Sequence, residues 1–292
     1  MRILRASHLG MCFGVRDAID LAVRRAETAP LTILGDLVHN DAVLTDLRSK
    51  GIAAATDPAQ VTTRTVMVTA HGASERSLAR TRALGLEIVE ATCPLVNVAH
   101  RAVRLLVRDG YHPVIVGQRA HVEVRGLTED LEAFDVILDE NDVLALAPRR
   151  RFGVAAQTTQ PIEKVLGLVA RIRQCFPESD VRFIDTVCRP TKQRQTAAIE
   201  LARQADVVIV VGGASSNNTR QLVETCSRHC ARVHHIQADA DLCVDWLRGM
   251  ETVGITAGTS TPDEVVDRVE RRIRDLAGAE NDGRTAMMSE SL

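Results

Sequence analysis

Short apolar runs alternate with amphipathic stretches along most of the chain. The apolar runs predict strands, and their lengths suit the central strands of parallel sheets, at residues 31–34, 66–69, 87–90, 113–116, 134–138, 152–155, 181–184, 207–211, 232–236 and 252–256. Between them, apolar residues recur at helical spacing, most clearly at residues 16–26, 95–107, 162–175, 192–204 and 219–229. This alternation predicts an α/β protein with mostly parallel sheets and right-handed crossovers.

Polar and small residues are concentrated where the predicted strands end. These exit segments lie at residues 35–40, 70–74, 117–123, 156–159, 212–218 and 257–262. In a parallel sheet all such exits lie on one edge, which is where ligands bind in open α/β sheets. We therefore expect these loops to line one cavity if the sheets face their carboxyl edges inward.

Three cysteines occupy similar positions, each in a glycine- or proline-bounded loop that runs into a predicted helix. They are Cys12, Cys93 and Cys188. An acidic residue stands three positions before two of them, Glu90 before Cys93 and Asp185 before Cys188. The recurrence predicts three similar α/β units at residues 1–92, 93–187 and 188–276, followed by a flexible tail at residues 277–292.

These three cysteines allow several interpretations. A lone cysteine is most often a small core residue. Zinc sites use a fourth ligand and closely spaced cysteine pairs. Three distant single cysteines fit a 4Fe–4S cluster better, with one iron left open to bind a substrate oxygen. A weaker metal candidate is the pair Cys226 and Cys230 with His229, although this segment has the pattern of an amphipathic helix end.

Histidines and one glutamate add candidate chemistry to the strand exits. His39, His71 and His121 lie in three such loops, where each is either a ligand-binding or a structural histidine. In extended backbone, residues two apart point the same way, so His121 and Glu123 would reach one substrate. The carboxylate would then move protons, although a surface glutamate has the same sequence appearance.

Two glycine-containing exit loops favour a phosphate ligand. Gly212-Gly-Ala-Ser-Ser-Asn-Asn218 and Ala257-Gly-Thr-Ser-Thr-Pro262 each follow an apolar strand and open a helix. Helix N-termini attract anions, and hydroxyl and amide groups supply neutral donors. Each loop alone is also compatible with an ordinary helix cap. Together they predict a phosphate or diphosphate site, without the lysine of a Walker loop.

Composition narrows the function classes. The chain has 292 residues, 45% of them hydrophobic, a formal net charge of −2 and 2% aromatic residues. These values argue against a nucleic-acid-binding surface. The early apolar run is interrupted by Arg5 and His8, so no signal peptide is predicted. No membrane helix is predicted either, because no stretch approaches the roughly 20 apolar residues that one needs. Seven widely spread cysteines favour a reducing, cytoplasmic location.

Taken together, the loops resemble the 4-hydroxy-3-methylbut-2-enyl diphosphate reductase family. The resemblance is carried by ordered motifs from Gly10 to Pro262, namely Gly-Met-Cys-Phe-Gly-Val, Leu-Val-His-Asn, Ala-His-Gly-Ala-Ser, Ala-Thr-Cys-Pro-Leu-Val, His-Val-Glu-Val-Arg-Gly, Gln-Thr-Thr, Asp-Thr-Val-Cys, Ser-Ser-Asn-Asn-Thr-Arg and Thr-Ala-Gly-Thr-Ser-Thr-Pro. Single motifs are weak, but the ordered set is specific. The chain departs from the usual motifs at Arg189, Pro190, Lys192, Thr259 and Thr261 and at residues 118–120.

The resemblance implies a fold, a reaction and a set of residue roles. It implies a trefoil of three α/β units around a central cavity and one 4Fe–4S cluster held by Cys12, Cys93 and Cys188. Glu123 would relay protons and Thr158 would meet the substrate hydroxyl. The substrate, mostly its diphosphate, would be bound by His39, His71, His121, Ser215, Ser216, Asn217 and Ser260.

The reaction implied is the reductive removal of the allylic hydroxyl with two electrons and two protons, in the last step of the methylerythritol phosphate pathway. Its products are isopentenyl and dimethylallyl diphosphates, and ferredoxin or flavodoxin supplies the electrons. The alternative from another class is a non-catalytic α/β protein that binds a phosphate ligand and whose cysteines sense redox state or bind zinc.

Overall fold

The computed structural model describes the backbone of residues 1–289 and the side chains of residues 1–278. Its strands are β1 (Arg2–Arg5), β2 (Leu31–Leu34), β3 (Ala53–Ala55), β4 (Thr65–Val68), β5 (Glu87–Glu90), β6 (His112–Val116), β7 (Asp135–Ile137), β8 (Arg151–Ala156), β9 (Asp180–Phe183), β10 (Val207–Val211), β11 (Val233–Ile236) and β12 (Thr252–Ala257).

The helices are α1 (Phe13–Ala26), α2 (Asp41–Ser49), α3 (Glu75–Ala83), α4 (Pro94–Arg108), α5 (Val122–Thr128), α6 (Glu140–Leu144), α7 (Ile162–Cys175), α8 (Arg189–Ala202), α9 (Asn217–Ser227) and α10 (Asp263–Ser289). Strand and helix alternate as the hydrophobic pattern predicts. The α/β class is therefore confirmed.

The strands form three four-stranded sheets in which every pairing is parallel. Their orders are β3-β2-β4-β5, β7-β6-β8-β9 and β11-β10-β12-β1. The sheets repeat one strand order. In β3-β2-β4-β5 and β7-β6-β8-β9, the second strand in sequence lies at one edge with the first strand beside it, and the third and fourth strands follow towards the other edge. The third sheet completes this order with β1, from the other end of the chain. Three similar sheets are thus confirmed.

Some local expectations differ from the structure. The polar ends of β1 gave too short an apolar run to predict a strand, and three alanines hid β3. Strand β5, expected to be buried, lies at a sheet edge, and both its glutamates are exposed. By contrast, β10 is wholly apolar and buried, as the central strand of a parallel sheet should be.

The chain divides into two compact units. The terminal unit comprises Met1–Cys12, His39–Asp41 and Gln193–Leu292, and the middle unit comprises Phe13–Val38 and Ala42–Lys192. The terminal unit contains the β11-β10-β12-β1 sheet, and the middle unit contains the other two. The three-unit division at residues 92 and 187 stays a prediction.

Each unit has its own apolar core. In the middle unit, buried side chains of β6 and β8 pack against α7, with Phe152 and Ile172 at the centre. In the terminal unit, Ile209 and Ile255 pack against Val269 of α10. These cores fix the strands, and therefore the positions at which their exit loops begin.

Helix α10 continues to Ser289, past residue 276, where the predicted tail begins. The flexible-tail prediction covers residues 277–292, of which 290–292 lie outside the described residues, and it stays a prediction. Within the described part of the chain, no helix is both long enough and apolar enough to cross a membrane.

Candidate active site

The three predicted cluster cysteines occupy the same position in the local structure. Cys12, Cys93 and Cys188 each stand directly before the first residue of a helix, α1, α4 and α8 respectively. All three are half-buried thiols. The positive end of a helix dipole favours negative charge, so an anionic group bound at these cysteines would be stabilised there.

The backbone around these cysteines repeats as well. The N–H of each cysteine donates a 3.0 Å hydrogen bond to a carbonyl in the exit loop of the neighbouring strand. The pairs are Cys93 with Ala70, Cys188 with Thr158, and Cys12 with Thr259. Each accepting residue is, or directly precedes, a predicted substrate-binding residue. The repeat therefore joins each cysteine loop to one such residue within its own unit.

The donor set fits an iron–sulfur group. A Cβ atom at Gly14 would lie 2.4 Å from Sγ of Cys93, so only glycine leaves room for that sulfur. Sγ of Cys188 lies 3.0 Å from Oγ1 of Thr191, and hydrogen bonds to sulfur are one means of tuning a cluster. Single thiols at separate helix N-termini suit a cluster better than the close pairs of a structural zinc site.

The other metal candidate, Cys226 with Cys230 and His229, is wrong. Both thiols are buried and donate weakly to backbone carbonyls, whereas His229 is exposed. Burial, with a smaller contribution from Cys230, raises the pKa of Cys226 to about 12. A thiol that resists ionisation in an apolar core is a poor metal ligand.

Glu123 is a fully buried carboxyl group held by Thr158. The Thr158 N–H donates to Oε1 at 2.7 Å, and the Thr158 hydroxyl donates to Oε2 at 3.0 Å. Burial raises the pKa of Glu123 to about 7, although both hydrogen bonds from Thr158 lower it. Such a group can hold or release a proton near neutral pH, which suits a general acid.

Glu123 reaches this place through a helix and not through extended backbone. His121 is the N-cap of α5, and its Nδ1 accepts a 3.1 Å hydrogen bond from the Glu123 N–H. The expectation that an extended His-Val-Glu segment directs both side chains the same way is therefore wrong. The N–H groups at the start of a helix have no partner within the helix, and the imidazole accepts a hydrogen bond from one of them. This capping hydrogen bond favours a helical segment over an extended one.

Two of the predicted substrate-binding histidines lie together in the middle unit. The rings of His71 and His121 are 5.5 Å apart between centroids and nearly perpendicular, at 82°. His71 also lies beside the Thr69 hydroxyl, with Nδ1 and Oγ1 3.4 Å apart. The structure thus brings together the β4 and β6 exit loops, which come from different sheets.

The terminal unit brings together three other predicted segments. The Ser260 hydroxyl donates to the His39 carbonyl at 3.1 Å. A Cβ atom at Gly213 would lie 2.5 Å from that carbonyl, so glycine is required where these loops meet. Ser216 is the N-cap of α9, Asn217 is buried beside it, and Ser215 is exposed.

Two residues of the terminal unit were missed by the sequence reasoning. The Asn218 side chain accepts a 2.9 Å hydrogen bond from the Thr259 N–H through Oδ1. Arg194 is 8% exposed, and its Nε and Nη2 donate to the Gly10 carbonyl at 3.1 and 2.7 Å. Asn218 lies two positions after its helix cap, as Glu123 does, and this shared spacing could have identified Asn218 from the sequence. Arg194 gave no signal, because a helical arginine is usually exposed.

Comparisons with known proteins find relatives over nearly the whole chain. A family described as LytB protein matches residues 3–274. The 4-hydroxy-3-methylbut-2-enyl diphosphate reductase of Pelobacter propionicus is 37% identical over 278 residues, covering 94% of this chain and 99% of the relative. The protein of the same name from Geobacter sulfurreducens is 36% identical over 279 residues, with coverages of 94% and 98%.

Solved structures match over similar lengths. The E-1-hydroxy-2-methyl-but-2-enyl-4-diphosphate reductase from Plasmodium falciparum has a TM-score of 0.86 and 26% identity, with 92% of this chain and 87% of that chain covered. A solved (E)-4-hydroxy-3-methyl-but-2-enyl diphosphate reductase, the terminal enzyme of the non-mevalonate pathway, has a TM-score of 0.67 and 33% identity, with coverages of 94% and 100%. The chain described here belongs to the LytB family.

Proposed function

We propose that this chain removes the hydroxyl group of 4-hydroxy-3-methylbut-2-enyl diphosphate with two electrons and two protons. The products are isopentenyl and dimethylallyl diphosphates, and the reaction is the last step of the non-mevalonate pathway. Family membership and the names of relatives that match over nearly their whole length support this reaction. The observation that carries it is the buried Glu123 carboxyl bound to Thr158, whose carbonyl accepts from the Cys188 N–H.

Membership of the LytB family implies an iron–sulfur cluster. Three residues, Cys12, Cys93 and Cys188, would hold a 4Fe–4S group, since each stands at a helix N-terminus, where the helix dipole favours an anionic group. When bound, such a group would supply electrons and the Lewis acidity of iron.

Glu123 supplies the proton chemistry. With a pKa of about 7, a large share of this carboxyl is protonated at neutral pH, so it can donate a proton to the departing hydroxyl. Hydroxide is a poor leaving group, and protonation converts it to water. Thr158 orients the Glu123 carboxyl group, because its N–H donates to one carboxyl oxygen and its hydroxyl donates to the other.

Neutral donors hold the diphosphate in this proposal. Serine hydroxyls and an asparagine amide can bind phosphate oxygens without a compensating charge, and three histidines add ring N–H groups. The residues assigned to the substrate are His39, His71, His121, Thr158, Ser215, Ser216, Asn217 and Ser260. A diphosphate fixed at one end would hold the hydroxymethyl end in one orientation, an entropic contribution to the rate.

The electron donor is proposed to be ferredoxin or flavodoxin, with the enzyme acting in the cytoplasm. Both proposals are separate from the reaction itself, because a chemical reductant can replace the donor in an assay. A donor can be identified afterwards by reconstituting turnover with each protein in place of that reductant.

The test is the content of iron and acid-labile sulfide per chain after anaerobic purification, followed by turnover of the allylic diphosphate with a chemical reductant. Close to four of each, a brown visible spectrum and formation of both products are expected. Zinc or no metal in an anaerobically reconstituted sample, with retained diphosphate binding, would instead support the non-catalytic binding protein.

A further inference from the structure

In the middle unit, residues 71–76 contact residues 121–130, which comprise helix α5 and its two ends, at several places. The contacts follow the same order along both segments. The ring of His71 lies beside that of His121, Ala73 packs near Gly126, and Ser74 binds Glu129. At the far end, the N–H groups of Glu75 and Arg76 donate to Asp130. We call these paired segments, with Glu129 and Asp130, the α3–α5 clamp.

The acidic end of the clamp is its strongest part. Oδ2 of Asp130 accepts from the Glu75 N–H at 2.8 Å, and Oδ1 accepts from the Arg76 N–H at 3.0 Å. These are N–H groups of the first turn of α3, which have no partner within the helix. A carboxylate there gains both hydrogen bonds and the favourable end of the helix dipole.

Glu129 makes the second attachment. The Ser74 hydroxyl donates to its Oε2 at 2.5 Å, while Ser74 also caps α3 by accepting from the Ser77 N–H at 3.0 Å. The hydrogen bond from Ser74 is the main reason that the pKa of Glu129 is lowered, so the carboxylate stays charged. Arg80 pairs with its other oxygen. One serine therefore serves both helices.

The middle of the clamp is close-packed. A Cβ atom at Gly126 would lie 3.7 Å from Cα of Ala73, so α5 approaches the backbone of the loop directly. His100 of α4 lies over the same place, and its Nε2 would be 3.3 Å from a Cβ atom at Gly72 and 3.7 Å from one at Gly126. Burial lowers the pKa of His100, which favours a neutral ring here.

We propose that Asp130 and Glu129 are positioning residues for substrate binding, because the α3–α5 clamp sets the distance between His71 and His121. The proposal rests on the proposed function, in which both histidines bind the allylic diphosphate. Neither carboxylate touches the substrate. Each acts by holding α5 against residues 71–76, so that the two imidazoles, which lie at the other end of the same contact line, stay in register.

The test compares Asp130→Ala with Glu132→Ala in cluster-loaded enzyme purified without oxygen. Glu132 is an exposed carboxylate two positions away and serves as the matched control. Loss of two capping hydrogen bonds should raise KM for the allylic diphosphate by roughly five- to tenfold, with kcat changed less and iron content unchanged. The control should match the wild type in all three.

A double-mutant cycle separates positioning from a general loss of stability. In a His71→Ala background, Asp130→Ala should raise KM by less than about twofold, because the side chain it positions is absent. The proposal would be overturned if the double variant raised KM by the product of the two single effects. It would also be overturned if Asp130→Ala had normal iron content and the KM of the wild type. If Asp130→Ala does not fold, Asp130→Asn and Glu129→Gln serve in the same cycle.

Failure of the proposed function would look different. A cluster-loaded wild type that turned over no allylic diphosphate would remove the reaction. The clamp would then be judged by the dissociation constant of inorganic diphosphate, which should rise in Asp130→Ala and stay unchanged in Glu132→Ala. Equal constants in both variants would count against the clamp.

Discussion

Two parts of the molecule share one chain of hydrogen bonds, which begins at a carboxyl group in one part and at an amide group in the other. In the middle unit, the side chain of Glu123 accepts from the Thr158 N–H, and the Thr158 carbonyl accepts from the Cys188 N–H. In the terminal unit, the corresponding chain of hydrogen bonds runs from Asn218 through Thr259 to Cys12. Glu123 and Asn218 are both the second residue of a helix, after the caps His121 and Ser216.

The difference between the carboxyl group of Glu123 and the amide group of Asn218 separates two roles: holding a cysteine loop in place and carrying a proton. A side-chain oxygen at this position is enough to hold the neighbouring loop and, through it, the cysteine. An amide does this without titrating, whereas a buried carboxyl also carries a proton near pH 7. The repeat therefore accounts for the positions of Cys188 and Cys12, and the proposed proton transfer is assigned to the one copy that has Glu123.

Removing the cysteine thiol, which both copies have, should have the largest effect on turnover. Cys12→Ser and Cys188→Ser should each lose most of the bound iron and lower turnover by more than about 10³-fold, since metal-assisted chemistry is lost with the cluster. The measurement is iron and sulfide per chain alongside the anaerobic assay. Cys175→Ser, which changes a half-buried thiol on α7, is the control and should keep both. Full iron content in either first variant would argue against that ligand.

Glu123→Gln turns the middle-unit copy into the amide form of the terminal unit. We expect kcat to fall by about 10²- to 10⁴-fold, the usual contribution of a general acid, with KM and iron content nearly unchanged. The steady-state assay and iron determination check this. The exposed Glu163→Gln on α7 should behave as the wild type. Normal turnover in Glu123→Gln would remove the proton-donor assignment.

The reciprocal change, Asn218→Asp, should have a smaller effect. Aspartate keeps an oxygen for the Thr259 N–H, so Cys12 should stay in place and iron content should not change. The side chain is 3% exposed, and an added negative charge near the proposed diphosphate site should raise KM by roughly tenfold, equivalent to about 1.4 kcal/mol. A lower kcat with unchanged KM would show that this position does not act through substrate charge.

The last prediction concerns stability, and it follows from Glu123 alone. Its pKa in the folded chain is about 7, above the usual value of 4.5, so the folded chain keeps a proton that the unfolded chain releases between those values. The contribution to the free energy of unfolding is complete below about pH 4.5 and is lost as the pH rises through 7, by about 3 kcal/mol.

Urea unfolding at pH 5 and pH 8 measures this difference. The fall in stability from pH 5 to pH 8 should be smaller in Glu123→Gln than in the wild type, because glutamine does not titrate. Asn218→Asp gives the converse check, since a new buried carboxyl should steepen the fall. An identical pH dependence in all three chains would contradict the raised pKa.

The sequence was a good guide to local structure and a partial guide to the site. Leu31–Leu34, Val207–Val211 and Ile162–Cys175 have the bounds that the hydrophobic pattern predicts. Strand β1 was missed because its only two apolar residues, Ile3 and Leu4, are flanked by arginines, and only pairing with β12 makes it part of a sheet. Pairing across such a distance in sequence leaves no local pattern.

By itself, the sequence determined the alternation of strands and helices, the polar strand exits and the cysteines placed before helices. These depend on neighbouring residues, whose periodicity and turn chemistry are legible along the chain. Only the tertiary structure decided that Glu123 is buried against Thr158, that Asn218 is its amide counterpart, and that Arg194 reaches the Gly10 carbonyl. Burial and hydrogen bonding at those residues come from segments far apart in sequence, so their chemistry is fixed only when the sheets have formed.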